Sequence, residues 1–121
     1  MPLYVDKLNV NGNSIGNYRV YTALLTQTGT DAPVATVLEN TLGIEIIWQY
    51  NNPGNYTAST PNLYSDPSKV VFIINNSQNF GINGGENNVN EIYLNTYSLP
   101  GDGSLADNLL YNAFLEIRVY N

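Results

Sequence analysis

The chain has no histidine and no cysteine, and only four basic residues: Lys7, Arg19, Lys69 and Arg118. The commonest general base, the thiolate nucleophile and the nitrogen and sulfur ligands of zinc are therefore excluded together. No disulfide framework can staple the fold. The basic residues stand singly, so no stripe of them can neutralise a row of phosphates. A formal charge of −6 likewise works against nucleic acid and anionic membrane surfaces. No apolar run is long enough to cross a membrane as a helix, and Met1–Lys7 lacks the basic start and apolar stretch of a secretory signal. The expectation is a chain made in a cytoplasm from Met1, with no cofactor, no metal, no nucleic acid and no membrane among its partners.

What fills the sequence instead is strand and turn vocabulary. Hydrophobic residues make up 43% of 121 residues, enough for one core, and there are twenty Asn and ten Tyr. Apolar residues alternate with period two almost throughout, and helical spacing is rare. The alternation predicts strands over Leu3–Val10, Tyr18–Thr28, Val34–Asn40, Ile44–Tyr50, Asn55–Thr60, Lys69–Asn75, Val89–Tyr97 and Asn112–Tyr120. Asn11-Gly12-Asn13, Asn51-Asn52-Pro53-Gly54 and residues 99–102 read as turns. Lys69–Asn75 is almost continuously apolar and is expected to be covered on both faces. Asn75–Asn90 reads as a loose, exposed Asn-rich stretch anchored by Phe80 and Ile82. Ser104–Leu110 is expected to form one short helix, with Ser104 as its cap and Asp107 at the third position inside. The fold expected is all-β: a single β-sandwich domain over 1–121, jelly-roll-like, with seven to nine strands and one short helix near the C-terminus.

The run Tyr21–Gly43 (YTALLTQTGTDAPVATVLENTLG), the strand Ile46-Ile47-Trp48 and the terminal Leu115–Tyr120 carry a resemblance. Together they resemble short proteins of tailed bacteriophages, among them head-decoration, fibre and tail-associated modules. The resemblance implies a structural virion component, assembled in the host cytoplasm, that contacts other virion proteins and forms a homo-oligomer, of which a trimer is one form. It rests on strand and turn text and transfers no functional residue, and Asn75–Asp107 departs from it.

The ten carboxylates fall mostly in turns and on polar strand faces, and no pair is marked for acid–base work, so the chain is not expected to be an enzyme. Asp102, Ser104 and Asp107, and the stretch Glu86-Asn87-Asn88 with Glu91, are oxygen-rich but lack the alternation and closing Glu of a calcium loop. The alternative function is a carbohydrate-binding or receptor-binding module, with carbohydrate recognition foremost. It pairs an aromatic platform with amide hydrogen bonds, and Trp48, Tyr50, Asn52 and Tyr56 offer that combination, with Asn51, Asn55, Tyr64, Tyr93, Tyr97 and Tyr111 nearby in kind. Trp48 also shares a face with Ile44 and Ile46, which makes it a core candidate. Arg118 and Tyr120, facing out from the last strand, are the candidate subunit or partner contact.

Overall fold

A computed structural model describes residues 17–64, 66–75, 80–98 and 103–121. These form eight strands: β1 (Tyr18–Thr26), β2 (Val34–Asn40), β3 (Ile47–Asn52), β4 (Asn55–Ser59), β5 (Val70–Asn75), β6 (Phe80–Asn88), β7 (Glu91–Ser98) and β8 (Ala113–Tyr120). They make two four-stranded antiparallel sheets. Sheet A has the order β2-β1-β8-β5, and sheet B the order β3-β4-β7-β6. Their inner faces meet in one core, an arrangement consistent with a β-sandwich. The order does not establish a jelly roll: β1–β2, β3–β4 and β6–β7 are hairpins of consecutive strands. The expected strand Leu3–Val10, the turn Asn11–Asn13 and the turn at 99–102 lie outside the described residues.

Alternation explains the core directly. Tyr21, Ala23 and Leu25 point inward from β1, and Ala113, Leu115, Ile117 and Val119 do so from β8. From sheet B they meet Trp48, Tyr56, Ala58, Ile92 and Leu94. The β3–β4 hairpin turns on Pro53-Gly54, where proline fixes one dihedral and Gly54 takes φ +68°.

Three expectations are corrected. Ser104–Leu110 is not helical. Its backbone bonds outward instead: Ala106 N–H donates to Thr96 O at 3.0 Å, Ser98 N–H donates to Ser104 O at 2.9 Å, and Leu105 bridges Tyr97. Asn108 at φ +65° lies in a conformation no α-helix admits. The one helical turn among the described residues is instead a 3₁₀ turn at Pro67–Lys69, capped by Asp66, whose carboxylate accepts from Ser68 N–H at 3.0 Å. The stretch expected to be a loop contains a nine-residue strand, β6. Its period of two is masked because an inward position is Gly84, where a side chain would meet Tyr93 O at 2.8 Å and Ile74 Cδ1 at 3.0 Å. Finally, β5 is covered on one face only, with Val70, Phe72 and Ile74 half-buried and Val71 and Ile73 exposed.

Candidate functional site

Among the described residues, sheet A ends at β5 on one side and on the other at β2, which pairs with β1. Its register slips by one residue between Thr22 and Ala23, so that Leu38 is the extra residue of a bulge opposite Thr22. Val34, Val37 and Leu38, with Ile47 on the neighbouring edge of sheet B, are each half or more exposed. Between the β2 and β3 edges runs a groove of about 300 Å³, lined by Pro33, Ala35, Val37 and Ile46 with Tyr21 and Trp48 at its base. The Tyr21 hydroxyl and the Trp48 indole N–H are buried there without a well-formed hydrogen bond. Burial raises the Tyr21 pKa, and the nearby Trp48 N–H offsets part of that rise. No functional residue was anticipated on this edge, although the text carries a signal: the consecutive apolar pair Val37-Leu38 interrupts the alternation where the bulge falls.

The aromatic candidates separate. Trp48 is 7% exposed and Tyr56 is fully buried, so both rings belong to the core. The Tyr56 hydroxyl sits between Gln27 Oε1 at 2.9 Å and Asp107 Oδ1 at 3.1 Å, two acceptors for its single proton. Burial drives its pKa well above the ordinary tyrosine range. Tyr50 donates to Asp107 Oδ2 at 2.7 Å, and that bond is the first cause of its raised pKa. Gly54 N–H completes the set by donating to Asp107 Oδ1 at 2.8 Å. Asp107 is thus a structural acceptor that ties residues 106–108 to the β3–β4 hairpin. Tyr50 and Tyr56 serve that junction, with ring centroids 5.9 Å apart.

Arg118 and Tyr120 lie together on the outer face of sheet A. Tyr120 packs on Tyr18 with centroids 5.0 Å apart, and the Arg118 guanidinium stands 5.0 Å from the centre of the Tyr18 ring while paired with Glu116. The same face carries Leu24 opposite Phe114, Val71 opposite Arg118 and Ile73 opposite Glu116.

The outer face of sheet B is chemically different. Asn52, Asn55, Asn95 and Asn83 stand opposite one another across all four strands. Asn51 Nδ2 donates to Asn55 Oδ1 at 3.1 Å, Asn55 Nδ2 to Asn95 Oδ1 at 2.8 Å, and Asn95 Nδ2 to Asn83 Oδ1 at 3.4 Å. Asn83 Nδ2 then donates to the Tyr97 hydroxyl. The structure therefore gathers Asn51, Asn52, Asn55, Tyr93 and Tyr97 on one surface, and separates them from Trp48 and Tyr56. Asn83 and Asn95 were not singled out from sequence, since nothing marks one asparagine among twenty until strand register is known. Among the described residues, no three acidic side chains converge as a metal site requires.

Comparison with known protein families, curated proteins and solved structures finds no match to this chain.

Proposed function

We propose that this chain is a structural component of a virion surface that acts by protein–protein assembly as a homo-oligomer. One observation carries the reading. Of the nine large hydrophobic side chains left exposed among the described residues, five (Val34, Val37, Leu38, Val71 and Ile73) lie on the two edge strands of sheet A. Edge strands are usually blunted by Lys, Pro or inward charge, because their unpaired backbone groups template association. β2 carries none of these along Val34–Asn40 and keeps only a bulge and Glu39. Pairing at β2 would satisfy its free N–H and C=O groups, and the apolar outer face of sheet A would add packing area. The resemblance of Tyr21–Gly43 to phage virion proteins supplies the setting.

The test is the solution mass of the pure protein by light scattering after size exclusion, beside Val37→Lys. A closed oligomer that Val37→Lys converts to a monomer that still unfolds cooperatively is the expected result. A wild-type chain that stays monomeric at high concentration overturns the reading.

A further inference from the structure

We infer that the outer face of sheet B binds a neutral glycan, with Tyr93 and Tyr97 against the apolar faces of sugar rings and the asparagine ladder against their hydroxyls. This site is separate from the β2 edge and does not rest on the assembly reading.

The ladder has a direction, and the direction decides what it offers. Each amide from Asn51 to Asn83 gives one N–H to the next, and the chain of donors ends on the Tyr97 oxygen. An asparagine amide has two N–H donors and two acceptor lone pairs, so Asn55, Asn95 and Asn83 each keep a second N–H and a second lone pair for a ligand, while Asn51 spends its second N–H on Thr57 Oγ1 at 3.2 Å. Tyr97 accepts from Asn83 and so keeps its own proton to donate. A sugar hydroxyl is likewise both donor and acceptor, and matches such a mixed array better than a carboxylate or an ammonium group, each of which offers one polarity only.

The ladder also fixes geometry in advance. Side chains held by one another lose little rotamer freedom when a ligand arrives, which removes a principal cost of binding to polar surfaces. Neighbouring strands are about 4.8 Å apart, comparable to the length of one pyranose ring, so a row across four strands presents amides at the spacing of successive sugars.

The aromatic half of the site comes from the glycines of β6. Tyr93 stands opposite Gly85, and a side chain added at Gly85 would meet the Tyr93 ring at 3.4–3.6 Å. The ring therefore leans over backbone that no side chain covers. Tyr97 stands opposite Gly81 in the same way. Both tyrosines are half-buried, with part of each side chain left open to a ligand.

Charge complementarity points to a neutral ligand. In a chain of net charge −6, the ladder itself is uncharged; of the two acids in its strands, Glu86 and Glu91, Glu91 accepts from Asn87 at 3.0 Å. No Lys or Arg lies in β3, β4, β6 or β7, so these strands offer no cation to a sialylated or sulfated sugar.

The experiment probes the full chain on an array of neutral hexose and N-acetylhexosamine oligosaccharides with sialylated and sulfated counterparts, and measures affinity for the strongest neutral oligosaccharide by calorimetry. Neutral binding is expected to weaken at least about tenfold in Tyr93→Ala and in Asn83→Leu. The exposed Tyr111→Ala, off this face, should leave it unchanged. Thermal midpoints report whether each variant folds, and Asn83→Leu at an exposed position keeps the test decisive where Tyr93→Ala does not fold. No binding to any neutral oligosaccharide, binding to anionic glycans alone, or neutral binding indifferent to both variants would overturn the inference.

Discussion

Asp107 holds three donors from one hairpin: the Tyr50 and Tyr56 hydroxyls and the Gly54 N–H. Replacing it with Asn keeps the shape but removes the charge. In Asp107→Asn the Tyr50 phenol is expected to titrate closer to the ordinary tyrosine range, because the acceptor that holds its proton and repels its anion is gone. Ultraviolet titration of the variant beside the wild type reads that change. Trp48 gives a second prediction at this scale. Its ring fills the core, so Trp48→Ala should cost about 3–5 kcal/mol in denaturant unfolding, the usual cost of emptying a large aromatic site. Sequence placed Ile44, Ile46 and Trp48 on one face, and that apolar company was the legible sign of burial. The partnership of Asp107 with Tyr50 and Tyr56 was not legible, because it joins residues more than fifty apart through a turn whose course local propensity does not determine.

Where local pattern alone decides, elements were readable to within a residue or two. The inward row Ala113, Leu115, Ile117 and Val119 follows strict alternation and stands where that pattern puts it, and Val34–Asn40 is a strand with the expected bounds although Val37-Leu38 breaks its alternation. Ser104–Leu110 shows the opposite case. Ser104 and Asp107 suit a capped helix, yet the backbone of β7 offers Thr96 O and Ser98 N–H to the same segment, and those long-range bonds win. The segment and the hairpin turn are so close that Gly54 has no room for a side chain. A Cβ there would lie 2.5 Å from Ala106 N and 2.6 Å from Thr96 O. Gly54→Ala adds this collision to the strain of a positive φ and should destabilise by more than about 2 kcal/mol, as urea unfolding would measure. The same substitution at Gly29, also at positive φ but in open space, should carry the strain alone, roughly 1 kcal/mol.

Across the whole molecule, the two outer faces differ in chemistry: aliphatic and aromatic side chains around the Arg118–Glu116 pair on sheet A, amides and tyrosines on sheet B. Stability should also depend on pH in one direction. Tyr21 and Tyr56 hold their protons more tightly folded than unfolded, chiefly through burial. Once pH passes about 10, the unfolded chain releases tyrosine protons that the native state keeps, so unfolding is favoured progressively as pH rises. Below that, these two groups contribute no slope. Urea midpoints should therefore be insensitive to Tyr21 and Tyr56 up to about pH 10 and decline above it, and Tyr21→Phe should flatten part of the decline. The pairing of β1 with β8 has a consequence of another kind. β1 and β8 are the two inner strands of sheet A, paired from Tyr18 opposite Tyr120 to Leu25 opposite Ala113, and among the described residues β5 joins that sheet through β8. During synthesis, β1 waits for its partner while some hundred residues are added, a delay of several seconds at about 5–20 residues per second. Sheet A cannot close until β8 has cleared the ribosome, so for that interval the apolar side chains of β1 and β5 must be kept from other chains by the crowding of the nascent polypeptide or by a chaperone.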